Sequence, residues 1–176
     1  FTGMYAHNTG VYSNKCRWDH QRTWLHDFRD AGYRVVNVGK MHHRDAQMAF
    51  HERYIVENKS SRLRYDQWKR FLWMSGLEVP RRHETVPDWA KRLNSAAWEH
   101  DERHHADIFT GDLALNFIDR WDYRAPLFLQ IGFPGPHEPY DAVPRFLAMY
   151  ESRPMPERIY EPGELDTKPP VQKMYK

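Results

Sequence analysis

Cysteine is nearly absent from this sequence: Cys16 is the only one among 176 residues. A single cysteine excludes an internal disulfide framework and a zinc site built from several cysteines. An excess of one charge is missing as well, because 26 Lys and Arg stand against 24 Asp and Glu, which gives a formal net charge of +2. A near-neutral chain argues against electrostatic binding of nucleic acid, which needs a basic excess.

Long apolar runs are also missing. The longest charge-free stretch with an apolar run, residues 125–137, is rich in proline and too short to cross a bilayer, which takes about 20 apolar residues. Aromatic residues make up 15% of the chain, and this argues against disorder because such rings bury large apolar areas. The sequence begins at Phe1 without an initiator Met or a signal-peptide pattern. We therefore expect residues 1–176 to form one partial domain from a longer protein, and the compartment stays open.

The order of predicted elements indicates an α/β fold. A helix over 19–31 is followed by a β-branched strand over 34–38, and a helix over 106–121 is followed by a near-continuous apolar run over 127–133. The second run is typical of a strand buried on both faces of a parallel sheet. We expect a mostly parallel sheet flanked by helices, with an extended tail after Pro154.

Basic side chains follow both predicted strands. Lys40 and His42 come just after the first strand, and His137 comes just after the second. The carboxyl ends of parallel strands converge on one crevice, so these groups are expected to lie at the same edge. An ammonium and two imidazoles there suit a sulfate, phosphate or carboxylate group. The alternative is that they are ordinary loop residues in a chain with 11 histidines.

Four segments together resemble the sulfatase family of the alkaline-phosphatase-like superfamily. Residues 32–42, GYRVVNVGKMH, are similar to its second signature, except that Val35 stands where Ser or Thr is usual. Residues 1–11, FTGMYAHNTGV, are similar to its Leu-Thr-Gly-x-Tyr-x-His-x-x-Gly-Val segment. Residues 136–139 resemble its Pro-His-x-Pro loop. Residues 112–119 resemble the helix that precedes the strand leading into that loop.

The resemblance implies roles for individual residues. Lys40 and His42 match the lysine and histidine that contact the sulfate and the nucleophile, and His137 matches the histidine that holds a sulfate oxygen or assists the leaving group. His105, just before the second helix, is a candidate for the wall of the substrate pocket. A position at the start of that helix or on the surface is the alternative for His105.

The resemblance also implies two components that we do not assign to this segment. The family's nucleophile is a formylglycine made from Cys or Ser in a Cys/Ser-x-Pro-x-Arg motif, expected upstream of Phe1. Cys16 lacks that context and is interpreted as structural or incidental. The family's Ca²⁺ ligands are expected outside this segment, so no metal ligand is assigned here, although the intact enzyme is expected to bind one Ca²⁺.

The predicted function is hydrolysis of a small-molecule or saccharide sulfate ester by the parent enzyme, with the isolated segment inactive. A phosphonate or phosphate ester hydrolase of the same superfamily would carry a similar anion cradle. A non-catalytic homologue that still binds an anion is a second alternative. A histidine-rich metal-storing module is the third, since His100 and His104 are spaced as zinc ligands on a helix can be.

Overall fold

The computed structural model describes residues 1–13, 16, 22–41, 49–57, 65–157, 159 and 161–173. They divide into two compact units, Phe1–Pro144 and Arg145–Lys176. The prediction of one partial domain over 1–176 stays a prediction.

Both helices and strands are present among the described residues, and all three strands belong to the first unit. In chain order they are α1 (Ala6–Thr9), α2 (Trp24–Asp30), β1 (Arg34–Gly39), β2 (Glu52–Ile55), α3 (Gln67–Met74), α4 (Arg82–Thr85), a 3₁₀ turn (Glu102–His104), α5 (Ala106–Asp119), β3 (Leu127–Gly132), α6 (Pro144–Glu151) and α7 (Pro170–Lys173). None of the described helices is long and apolar enough to cross a membrane.

The sheet has three strands in the order β2-β1-β3, and both pairings are parallel. Arg34 of β1 lies opposite Leu127 of β3, and the register runs to Gly39 opposite Gly132. On the other side, Gly39 lies opposite Ile55 of β2. A mostly parallel sheet flanked by helices, as predicted, is therefore confirmed.

Helices cover both faces of β1 because its side chains alternate between them. Val36 and Val38 pack with Ala114 of α5 on one face. Val35 packs with Leu25 of α2 on the other face. The three valines are completely buried, so the central strand of the sheet is also the centre of the core.

A further apolar cluster joins α3 to the beginning of α5. Trp68 and Leu72 of α3 pack with Trp98 and Ala106, and the indole Nε1 of Trp68 donates to the carbonyl of His104 at 2.7 Å. This cluster secures the segment that leads into α5.

Several predicted elements differ from the observed ones. The described part of the helix predicted over 19–31 begins at Trp24, because Thr23 and the ring of His26 form a capping box there. The expectation that residues 127–133 are buried on both faces is wrong: β3 is mostly half-buried, and Ile131 is 40% exposed. Within the described sheet, β3 pairs with β1 alone, so no second strand pairs with its other edge. The tail after Pro154 is not wholly extended, since α7 forms within it.

The second unit contains most of α6, together with α7. Within it, the guanidinium of Arg145 lies 4.0 Å from the centre of the Phe146 ring, and that of Arg153 lies 5.0 Å from the centre of the Tyr150 ring. Of the predicted site residues, Lys40, His105 and His137 belong to the first unit.

Candidate functional site

The carboxyl ends of β1 and β3 approach each other very closely. The backbone N–H of Lys40 donates to the carbonyl of Gly132 at 2.7 Å. A Cβ on Gly39 would overlap that same carbonyl oxygen and would lie 2.9 Å from Cγ2 of Thr110. Only glycine fits here, and Gly39 also has a φ of +97°, which L side chains rarely adopt. Two glycines therefore allow the strand ends, and the loops that follow them, to meet at one edge.

Lys40 is the first residue beyond β1 and is half-buried. Its successor Met41 is 6% exposed and packs in the core cluster with Leu25 and Val35, which anchors the chain just past the strand. His42, the other residue predicted here, lies outside the described residues.

His137 is exposed and lies in the loop that follows β3. Its backbone N–H donates to the carbonyl of Pro134 at 3.1 Å, and its ring Nδ1 is 2.7 Å from the carbonyl of Glu138. A carbonyl only accepts, so Nδ1 must carry a proton. The ring is thereby oriented, and Nε2 can donate a hydrogen bond only when the imidazole is positively charged.

The segment at 94–98 supports the loop where it returns from His137. The N–H of Tyr140 donates to the carbonyl of Asn94 at 2.9 Å, and the N–H of Ala96 donates back to the carbonyl of Tyr140 at 3.0 Å. The side-chain amide of Asn94 also donates to the Glu138 carboxylate at 2.6 Å. The loop is thus held by backbone pairing as well as by side chains.

His105 is the N-cap of α5 and is only 4% exposed. Its Nδ1 accepts from the backbone N–H of Asp107 at 3.2 Å, and its Nε2 is 3.1 Å from the carbonyl of Asp141. These contacts require the neutral ring with the proton on Nε2. The structure therefore places His105 at the start of the helix with both nitrogens engaged, and its contact with a substrate stays a prediction.

Sequence reasoning missed two residues around this loop, Asp107 and Arg82. The carboxylate of Asp107 accepts from the N–H of Gly135 at 2.8 Å. Arg82 is 2% exposed, and its guanidinium lies 2.6 Å from the carboxylate of Glu99 and 3.9 Å from that of Asp141. An acid in a first helical turn is a weak local signal for Asp107. Nothing local in the sequence indicates that Arg82 is buried against Asp141.

A cavity of about 500 Å³ lies at the opposite end of the sheet. Arg34, Glu52 and Tyr54 contribute to it from the sheet, and Phe117 and Trp121 contribute from α5 and the residues after it. A hydrogen bond from Arg34 holds the pKa of Glu52 below its ordinary value, while burial raises the pKa of Tyr54. The cavity is lined by the strand beginnings, so it is separate from Lys40 and His137.

The described residues contain no group of three His, Cys, Asp or Glu side chains that could hold a metal ion. Cys16, the single cysteine, has its sulfur 3.6 Å from the hydroxyl of Ser13. The described part of the chain therefore does not fit a Ca²⁺ site.

Comparisons with a family model, with other protein sequences and with solved structures each give matches. The family model described as Sulfatase matches residues 1–161. An arylsulfatase of Clostridium perfringens is 24% identical over 177 residues, a match that covers 90% of this chain. Human N-acetylglucosamine-6-sulfatase is 32% identical over 63 residues, which cover 34% of this chain and 11% of that protein.

A solved structure also matches. It is described as a complex with its substrate D-glucosamine-2-N,6-O-disulfate, and it superimposes with a TM-score of 0.57 over 90% of this chain at 19% identity. At that identity the likeness concerns the fold alone. The chain spans 36% of the length of the Clostridium arylsulfatase and 28% of the solved chain.

Proposed function

Because the chain belongs to the sulfatase family, we propose that it forms part of an enzyme that hydrolyses sulfate esters, with Lys40, His42 and His137 around the sulfate group. The observation that carries this proposal is the tight end of the β1–β3 pairing. The Lys40 N–H bond to Gly132 and the matched glycines bring the residue after β1 beside the loop that contains His137. Parallel sheets bind ligands at such carboxyl ends.

Each residue has a chemical task in this proposal. The Lys40 ammonium supplies a positive charge to a sulfate oxygen, and such charge matters most as negative charge develops in the transition state. His42 contacts the sulfate and the nucleophile, as the family resemblance implies. His137 donates from Nε2 when its ring is charged, because Nδ1 is committed to the Glu138 carbonyl. That proton can be donated to a sulfate oxygen or to the oxygen of the departing alcohol.

This proposal places the nucleophile and the metal ligands outside this segment. The resemblance implies a formylglycine and a Ca²⁺ ion, and the ion would supply positive charge beside the nucleophile and the anionic substrate. The described residues offer neither a metal-binding group nor a cysteine in the modification motif. We propose that the formylglycine lies upstream of Phe1 and that the Ca²⁺ ligands lie outside this segment, as the family resemblance implies.

The substrate class follows from the same family. The solved relative is described with a disulfated glucosamine, so a saccharide sulfate is the first substrate to test, followed by an aryl sulfate. No contact among the described residues distinguishes a saccharide sulfate from an aryl sulfate.

The test uses the full-length protein that contains this chain. We expect glucosamine 6-sulfate or 4-nitrophenyl sulfate to be hydrolysed faster than 4-nitrophenyl phosphate. Lys40→Ala, His42→Ala and His137→Ala should each lower kcat by about 10²-fold or more, the range for losing an electrostatic or acid–base group.

Matched controls come from the exposed surface. Lys91 and His83 have side chains that are 82% and 70% exposed, so Lys91→Ala and His83→Ala should leave kcat unchanged. Unchanged turnover in a site variant would remove that residue from the site. Preferential hydrolysis of the phosphate ester would move the enzyme to the phosphoester branch of the superfamily, and no hydrolysis of either would leave a homologue that only binds anions.

A further inference from the structure

The loop that contains His137 is tied to the first turn of α5 at its beginning. The backbone N–H of Gly135 donates to Oδ1 of Asp107 at 2.8 Å. The next link is the hydrogen bond from the His137 N–H to the carbonyl of Pro134. Asp107 therefore contacts the loop only two residues before His137, and a shift of its carboxylate would be passed directly to the histidine.

The contact between Asp107 and Gly135 is close as well as hydrogen-bonded. A Cβ on Gly135 would overlap Oδ2 of Asp107 and would lie 3.2 Å from its Cγ. The carboxylate thus covers the space that a side chain at position 135 would need. A glycine and an acid at these positions fit each other, and either substitution should displace the loop.

The same helix turn also holds the end of the loop. His105, the N-cap of α5, accepts from the Asp107 N–H through Nδ1 and donates to the Asp141 carbonyl through Nε2. His105 and Asp141 are each only 4% exposed, so these bonds are shielded from water and stronger for it. Both ends of the His137 loop are therefore fastened to neighbouring residues of one helix turn.

We propose that Asp107 is a positioning residue for His137: the cap of α5 holds its backbone N–H, and its carboxylate fixes the loop through the Gly135 N–H. The inference rests on the proposed function for its catalytic consequence, and on the geometry alone for its effect on the loop. Asp107 acts through the loop backbone and does not itself contact the sulfate.

The experiment measures hydrogen exchange and steady-state kinetics on the full-length protein. In Asp107→Ala we expect the peptide covering residues 133–141 to exchange about tenfold faster or more, the consequence of losing a charge-assisted hydrogen bond. We expect kcat for the sulfate ester to fall by about 10- to 100-fold, as small misplacements of a reacting group can cause. KM should change by less than about threefold, because the loss acts mainly on the transition state.

A second variant separates positioning from helix stability. An acid near a helix N-terminus also stabilises the helix by its charge. Asp107→Asn removes the charge and keeps an oxygen that can accept from Gly135, so positioning predicts kcat and exchange within about threefold of wild type. A role through helix charge predicts that Asn is as damaging as Ala. Asp112→Ala, at an exposed position of the same helix, is the matched control and should change neither measurement.

Gly135→Ala provides an independent approach from the loop side, and it should reproduce the faster exchange and the lower kcat of Asp107→Ala. Unchanged exchange at 133–141 in Asp107→Ala would overturn the inference, as would faster exchange with unchanged kcat. A wild-type protein without sulfatase activity, combined with faster exchange in the variant, would refute the proposed function and leave the restraint by Asp107 established.

Discussion

Replacing Gly39 by alanine tests whether the meeting of β1 and β3 is as tight as the structure indicates. The new Cβ would overlap the carbonyl oxygen of Gly132, a backbone atom that already accepts from the Lys40 N–H at 2.7 Å. No flexible side chain can move away to relieve this overlap. The strands must separate, or the chain at Gly39 must adopt another conformation.

The magnitude follows from three contributions. A side chain at positive φ costs about 1–2 kcal/mol, forced overpacking costs about 1–3 kcal/mol, and loss of one backbone hydrogen bond costs about 0.5–1.5 kcal/mol. Gly39→Ala should therefore lower the free energy of unfolding by about 2.5–6.5 kcal/mol. This is a large part of the stability of an ordinary domain, which is about 5–15 kcal/mol.

Gly32→Ala is the control because Gly32 precedes the same strand at a φ of +85°, and a Cβ added there would have no atom within 4 Å. It should cost about 1–2 kcal/mol, from the backbone conformation alone. Urea unfolding of both variants and wild type, followed by tryptophan fluorescence, measures the difference. Equal losses in Gly39→Ala and Gly32→Ala would refute the close approach of the strand ends.

Two other predictions concern stability. Asp66 is 2% exposed and accepts from the N–H groups of Lys69 and Glu57, so Asp66→Ala should cost about 2–4 kcal/mol in urea unfolding and Asp66→Asn less; equal costs would contradict the capping role. A hydrogen bond from Arg34 lowers the folded-state pKa of Glu52 from its ordinary value of 4.5. The stability that the Glu52 carboxylate contributes is therefore fully present above pH 4.5 and is lost as the pH falls through the lowered folded-state pKa. Glu52→Gln should therefore destabilise by less than about 1 kcal/mol at pH 7, and a deficit that does not shrink as the pH is lowered from 4.5 would contradict this linkage.

Much of the fold was predictable because its elements have local signals. The valines of β1 and the apolar run of β3 indicate strands by composition, and both lie where they were predicted. β2 (Glu52–Ile55) was not predicted, since its short sequence ERYI begins with two charged residues and lacks an apolar alternation. Its pairing with β1 depends on a neighbour distant in sequence.

The positions of two candidate site residues also have a local signal. Lys40 and His137 each follow a predicted strand, and the observed parallel register puts both strand ends at one edge. Their chemical roles stay predictions. The link from Asp107 to Gly135 joins residues on different elements, so no spacing within either segment could indicate it.

By itself the sequence determined which segments form the central strand and its covering helices, and which basic residues follow the strands. These properties depend on side-chain type and on spacings of two to four residues, which are visible along the chain. Only the tertiary structure decided that β3 is half-exposed, that Arg82 is buried beside Asp141, and that the cap of α5 holds the His137 loop. Such features arise from packing between distant segments, where hydrogen-bond geometry and excluded volume act on atoms that the linear order does not bring together.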